Sequence, residues 1–108
     1  MHITDLHDRM PIIEAMREFD GLGREKFLEK YGFRPAREFW LKYQGGRYDS
    51  KAIVGVACKY IPGSAGPLKP REFSGGRETV QRLLEGLGFE VDVKKSEEAF
   101  GSTSSQNR

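Results

Sequence analysis

The chain has 108 residues, of which 37% are hydrophobic and 31% charged, and its formal net charge is only +2. This length predicts one domain with a modest core, and no apolar run is long enough to predict a membrane span. The single cysteine excludes an internal disulfide, so nothing favours an oxidising compartment. The N-terminus lacks a signal-peptide pattern, and we expect a cytoplasmic protein.

Two helices are predicted in the first third of the chain. Apolar residues recur at helical spacing between positions 12 and 19, and Asp8 is a candidate cap for this first helix. Two glycines end it, and a second helix covers about residues 24–31 with a glycine at its C-terminus.

A hairpin and a third helix follow. Residues 37–43 alternate as in a strand, and the glycine pair at 45–46 predicts a hairpin turn into a short return strand. Asp49 or Ser50 then caps a third helix of about residues 50–60.

The last third of the domain contributes one more helix and one more strand. Residues 61–70 hold three prolines and two glycines and predict a loop. An apolar stripe predicts a fourth helix up to about residue 87, and alternation predicts a strand at 89–93. The predicted fold is therefore a small single α+β domain at 1–94, with about four helices and a short three-stranded antiparallel sheet. The polar, serine-rich residues 95–108 predict a disordered linker or tail.

Positive charge concentrates in the middle of the sequence. Residues 34–82 contain ten lysines and arginines against four acids, whereas residues 1–33 and 83–108 are each net −2. A basic segment between acidic flanks is the asymmetry expected of a protein that meets a polyanion on one face.

The hairpin and the two later helix starts carry the candidate nucleic-acid contacts. A helix N-terminus favours phosphate, and exposed aromatic rings stack on bases. Asp49 could accept a hydrogen bond from the exocyclic amine of a flipped base. The full set of predicted DNA-binding residues is Trp40, Lys42, Tyr43, Arg47, Tyr48, Asp49, Ser50, Lys51, Ser74 and Arg77.

Other interpretations of these residues remain open. The aromatic residues could be core, and the lysines merely solvated. Asp49 and Lys51 also have the D-x-K spacing of some Mg²⁺-dependent nucleases, but no partner acid is evident. The two histidines and Cys58 lack zinc-ligand spacing, so no metal or other cofactor is predicted.

Several blocks of the sequence together resemble the N-terminal head domain of McrA-type (ScoMcrA-like) modification-dependent HNH endonucleases of bacteria. The resemblance covers about residues 10–93 and rests on Leu22–Phe33, Arg47–Ala57, Gly66–Leu68, Phe73–Gly76 and Thr79–Val91. It implies a parent protein in which readers of modified DNA precede a C-terminal HNH nuclease domain. No HNH motif occurs in this chain, so the resemblance does not imply that this domain cleaves DNA.

These observations predict a DNA-binding module without enzymatic activity. Its expected partners are double-stranded DNA, modified for example with 5-methylcytosine, and a covalently linked nuclease domain. The alternative is a protein-interaction or spacer domain of a restriction enzyme that does not bind DNA specifically.

Overall fold

The computed structural model describes residues 3–74 and 76–94, which form the predicted α+β domain. Its helices are α1 (Met10–Leu22), α2 (Arg24–Tyr31), α3 (Ser50–Ala57) and α4 (Arg82–Gly86), and its strands are β1 (Phe39–Tyr43), β2 (Gly46–Asp49) and β3 (Glu90–Val93). Short 3₁₀ turns cover Ile3–Asp5, Cys58–Tyr60 and Pro70–Glu72, and a π-helical turn at Arg77–Gln81 leads into α4. The predicted tail at 95–108 lies outside the described residues.

The sheet is antiparallel throughout, with the strand order β2-β1-β3. The hairpin turns at Gln44 and Gly45, whose φ angles of 47° and 83° are both positive, as a type I′ turn requires. Leu41 lies opposite Tyr48 and Val91 and faces the core. Because side chains alternate along a strand, the neighbouring positions of β1 face outward.

The core is centred on α3, which is buried almost all round. Every residue from Ala52 to Ala57 is buried in the folded domain, and a helix that is apolar on all sides belongs inside a protein. The apolar stripe of α1 packs on α3 and includes Ile12, Met16 and Phe19, while Leu84 of α4 is also fully buried. This packing confirms the stripes expected from the sequence.

The ends of several helices differ from the predictions. Asp8 does not cap α1, which begins at Met10 without a side-chain cap. Asp49 occupies the cap position of α3, yet its side chain makes no capping hydrogen bond, because its carboxylate accepts from Arg24 and from the Ala36 amide instead. The predicted helix at 50–60 ends as an α-helix at Ala57 and continues as a 3₁₀ turn.

A cluster of polar groups ties α1 and α2 to the turn that follows α3. The carboxylate of Glu18 accepts hydrogen bonds from the hydroxyls of Tyr31 and Tyr60 and pairs with the ammonium groups of Lys30 and Lys59 at 3.0 and 2.8 Å. Burial alone would raise the pKa of Glu18, but these donors outweigh it and lower that pKa to about 2.

Candidate nucleic-acid interface

A groove of about 560 Å³ opens where three segments of the chain meet. One wall is the connector from α2 to β1, the second is the start of α3, and the third is the loop that precedes the π-helical turn. The lining residues are 32–39, Ser50, Lys51, Pro70, Arg71 and Gly76. We call this feature the basic groove.

The charge of the basic groove is unbalanced. Its lining contains four cationic side chains, Arg34, Arg37, Lys51 and Arg71, against the one carboxylate of Glu38. Within residues 3–74 and 76–94, none of the four cations takes part in an ion pair. The groove therefore attracts anions.

Lys51 is the cation most removed from water in the basic groove. Its side chain is half-buried at the start of α3, and its ammonium lies 5.2 Å from the ring centroid of Phe73. Burial lowers the pKa of Lys51, because the charged form loses solvation without gaining an acidic partner. A phosphate beside this ammonium would restore the missing counter-charge.

Gly55 allows the walls of the groove to approach α3. The rings of Phe33 and Phe73 lie 6.2 Å apart, centroid to centroid. A Cβ atom added at Gly55 would lie 2.6 Å from Cζ of Phe33 and 3.0 Å from the carbonyl oxygen of Leu68. The Leu68 amide also donates to the Gly55 carbonyl at 3.0 Å. Only glycine fits this point of contact.

Asp49 fixes the connector that carries two of the arginines. Nε and Nη2 of Arg24 donate to the two carboxylate oxygens of Asp49, each at 2.8 Å, and the Ala36 amide donates at 2.7 Å. Burial would raise the pKa of Asp49, but these donors hold it below its usual value. Asp49 was predicted as an acceptor for a base, and in the structure both of its oxygens accept hydrogen bonds from the domain itself.

Ser50 is likewise engaged internally. Its hydroxyl donates to the carbonyl of Phe39 at 2.9 Å, which links the start of α3 to the start of β1. Ser50 and Lys51 are the two predicted DNA-binding residues that line the basic groove. Of these two, only Lys51 has its functional group without a hydrogen-bond or ion-pair partner in the described part of the chain.

The outer face of the sheet presents the predicted Trp40, Lys42 and Arg47, but acids balance its charge. The Arg47 guanidinium lies 4.3 Å from the Trp40 ring centroid and 3.1 Å from a carboxylate oxygen of Asp92. The Lys42 ammonium lies 3.5 Å from a carboxylate oxygen of Glu90. This face therefore offers less net attraction for phosphates than the sequence suggested.

Both predicted tyrosines pack against the domain itself. Tyr48 is 8% exposed, contacts Phe19 edge-on and donates its hydroxyl to Asp20 at 3.0 Å. The ring of Tyr43 packs against that of Phe89, with 5.7 Å between centroids. Their structural contacts match the alternative that these rings belong to the core.

The predicted residues at the fourth helix start lie beside the basic groove rather than in its lining. Ser74 accepts a hydrogen bond from the Gly76 amide at 3.3 Å, and Gly76 lines the groove. Arg77 is exposed and begins the π-helical turn. Neither side chain is among those that line the groove.

Sequence reasoning missed the three arginines of the basic groove. Arg34 and Arg71 lie next to prolines in segments with no periodic signal, and Arg37 was predicted to open a strand at 37–43 that in the structure begins only at Phe39. They did contribute to the count of positive charge in residues 34–82. That count was the one available sign of them, because the contact between two distant loops cannot be derived from spacing.

In the described part of the chain, no group of three or more histidines, cysteines and acids is placed to hold a metal ion. The same residues include no helix with the length and apolar character needed to cross a membrane.

Comparison with known proteins identifies the family. The sequence model of one protein family, described as the ScoMcrA-like N-terminal head domain, matches residues 4–93. The chain belongs to this family. This confirms the resemblance drawn from the sequence blocks, and the match extends it by a few residues toward the N-terminus.

One solved structure similar to this head domain is that of the Type IV phosphorothioation-dependent restriction endonuclease ScoMcrA. The two are 29% identical with a TM-score of 0.56, and the match covers 87% of this chain. It covers only 14% of the ScoMcrA chain, so this domain corresponds to a small part of that enzyme. No curated protein sequence matches the chain.

Proposed function

We propose that this head domain is a non-catalytic DNA-binding module that grips the phosphate backbone with the basic groove. The observation that carries the proposal is the set of four cationic side chains around one groove without an ion-pair partner in the described residues. In a parent protein, the module would hold a linked HNH endonuclease on modified DNA in the bacterial cytoplasm.

Backbone contact is the part of the proposal that residue chemistry supports. Arginine binds phosphate with a planar, bidentate fork, and the groove contains three arginines. Lys51 adds a desolvated charge at the start of α3, where backbone N–H groups and the helix dipole favour an anion. Such contacts position a protein on DNA without reading its sequence.

Recognition of a DNA modification is the finer part of the proposal, and it rests on family membership. The similar enzyme ScoMcrA is described as phosphorothioation-dependent, and 5-methylcytosine is the mark that the sequence resemblance suggested. We propose that the module contributes to the choice of modified over unmodified DNA, with these two marks as the first candidates.

The test of backbone contact compares single charge reversals. Arg34→Glu, Arg37→Glu and Arg71→Glu each remove one groove cation, and Lys26→Glu makes the same charge change on an exposed α2 residue that does not line the groove. We expect each groove variant to weaken duplex binding about tenfold or more, an effect of about 1.4 kcal/mol. The control should change affinity by less than about threefold. Equal affinities in all four variants would contradict the proposal.

The test of modification reading uses one duplex in five forms: unmodified, 5-methylcytosine, 5-hydroxymethylcytosine, N6-methyladenine and phosphorothioate. Binding is measured over a salt series, because each neutralised phosphate contributes a slope of about −0.9 to log K against log salt. Tighter binding to one modified form would establish that the module reads the mark. Equal binding to all five would reduce its role to that of a backbone anchor.

The second candidate function is a protein-interaction or spacer domain, and the outer face of the sheet favours it. Trp40 stacks with Arg47 on a charge-balanced surface, and tryptophan and arginine are the residues enriched at protein-interface hot spots. This candidate predicts that Trp40→Ala weakens attachment to a neighbouring domain while DNA affinity is unaltered. A loss of DNA binding in Trp40→Ala would instead assign this face to DNA.

A further inference from the structure

The interior of the basic groove differs from its rim. Phe33, Ala36, Phe39 and Pro70, which are buried or half-buried, contribute apolar surface to its lining, whereas the three arginine side chains are exposed. We propose that the groove receives a single unstacked nucleotide, with the base against the apolar lining and the neighbouring phosphates on the arginines. This inference rests on the proposed function and specifies the form of DNA that the groove holds.

The size of the groove supports a ligand that enters it. Its volume of about 560 Å³ lies within the range of about 300–1,000 Å³ that is typical of small-molecule sites. An intact duplex has a convex backbone and keeps its bases stacked, so it would contact the rim and leave the interior empty. A nucleotide taken out of the stack presents a flat, partly apolar base that could fill this space.

The distribution of charge supports the same ligand. A surface that only tracks a duplex backbone needs protruding cations and no apolar interior. Proteins that hold single-stranded nucleic acid combine a positively charged groove with apolar and aromatic contacts to the bases. The basic groove has both features, with Phe33 and Phe39 in its lining beside Arg34 and Arg37.

The lining also contains a hydrogen-bond acceptor for a base. Glu38 is exposed and has no ion pair within residues 3–74 and 76–94. Its carboxylate can accept from the exocyclic amine of cytosine or adenine. This is the role that the sequence had suggested for Asp49, whose oxygens are engaged by Arg24 and Ala36.

The experiment compares three DNA probes that carry 2-aminopurine at the same position. They are a fully paired duplex, the same duplex with that nucleotide unpaired in a bulge, and the single strand alone. We expect the bulged duplex to bind at least about tenfold more tightly than the paired duplex, with a change in 2-aminopurine fluorescence on binding. Equal affinity for the paired and bulged duplexes, without a fluorescence change, would overturn the inference.

A variant that fills the groove separates shape from charge. Gly76 lines the groove at φ −82°, which any residue adopts, and an added Cβ would meet only the Ser74 hydroxyl at 3.5 Å. Gly76→Leu, or Ala36→Leu as a second filling variant, should abolish the preference for the bulged duplex over the paired duplex. A melting curve establishes that each variant is folded. An undiminished preference in folded variants of both kinds would overturn the inference.

The same probes distinguish this inference from the proposed function. One outcome is that the wild type binds the paired and bulged duplexes equally while Arg37→Glu weakens binding of all three probes. This outcome would support binding of the DNA backbone and refute the inference that the groove receives an unstacked nucleotide. If Arg37→Glu and the other groove reversals leave all three affinities unchanged, the proposed function itself is refuted.

Discussion

Replacing Gly55 with alanine tests the packing that supports the basic groove. The added Cβ would lie 2.6 Å from Cζ of Phe33, 3.0 Å from the Leu68 carbonyl oxygen and 3.1 Å from Cζ of Phe73. Carbon atoms in contact normally lie about 3.5–4.0 Å apart, so the Phe33 ring would have to move by about 1 Å. The Leu68 carbonyl is backbone, in a segment whose amide is bonded to Gly55 itself, and it cannot move away easily.

The expected loss of stability follows from two opposing effects. Overpacking of a well-packed core costs about 1–3 kcal/mol. Alanine in place of glycine inside a helix returns about 0.5–1 kcal/mol, because it restricts the unfolded chain. Taking the middle of each range, the free energy of unfolding should therefore fall by about 1.3 kcal/mol, which for a domain of this size lowers Tm by roughly 5–10 °C.

Urea unfolding followed by circular dichroism measures this change, with Gly21→Ala as the matched control. Gly21 also lies in a helix, but an added Cβ there would meet nothing within 4 Å. The control should be as stable as the wild type or more stable by up to about 1 kcal/mol. Equal unfolding free energies for the two variants would refute the argument that α3 and the groove walls are in tight contact at Gly55.

The same variant links stability to function. Phe33 lines the basic groove, so a displaced ring should alter the groove in the folded state. Binding measured well below the Tm of Gly55→Ala, where the variant remains folded, should therefore be weaker than that of the wild type. Unchanged affinity would indicate that the Phe33 ring does not shape the DNA contact.

Three further outcomes concern polar and reactive groups. The folded domain lowers the pKa of Glu18 to about 2, so the unfolded chain binds a proton at higher pH than the folded chain does. The free energy of unfolding should therefore fall as the pH drops from about 5 to 2. In urea unfolding, Glu18→Gln should be less stable than the wild type at neutral pH, and its free energy of unfolding should change less over this pH range. Asp49→Asn should lose about 1.5–3 kcal/mol at pH 7, since it removes the charge that accepts from Arg24 and Ala36, and equal midpoints with the wild type would contradict this. Burial raises the pKa of Cys58 to about 11, so a thiol reagent at pH 8 should modify it only after urea is added, and rapid labelling of the folded protein would show that the site is open.

The sequence predicted those features of the fold that repeat along the chain. The stripe around Ile12 and Met16 and the alternation around Leu41 have a period, and the structure places these side chains in the core. The hairpin glycines were equally clear, because few residues adopt positive φ cheaply. Exact helix starts were less predictable, because the side chain at a cap position can accept either from the helix amides or from other donors. At Asp49 the carboxylate accepts from Arg24, which lies 25 residues away in the sequence, and makes no capping hydrogen bond.

Of the predicted DNA-binding residues, only Ser50 and Lys51 line the basic groove, because tertiary contacts that the sequence does not reveal determine where the others lie. Lys42 and Arg47 are close to acids that lie more than forty residues later in the chain, so their charge could not be judged from their neighbours in sequence. Conversely, Arg34 and Arg71 are far apart in sequence but line the same groove, and their neighbours Phe33 and Phe73 both pack at Gly55. Charge composition predicted that a basic surface exists, whereas tertiary contacts decide which cations remain available.

The structure gives Asp49 a different role from the one that its position in the sequence suggests. At the sequence level, an acid before a helix is a cap, and near a basic run it is a candidate base acceptor. In the structure it joins Arg24 to the Ala36 amide and so holds the connector between Arg34 and Arg37 against the start of α3. A flexible connector would lose conformational entropy on binding an anion. Under the proposed function, the Asp49 contacts fix that connector in advance, which should lower this entropic cost and strengthen DNA binding although Asp49 itself does not contact DNA.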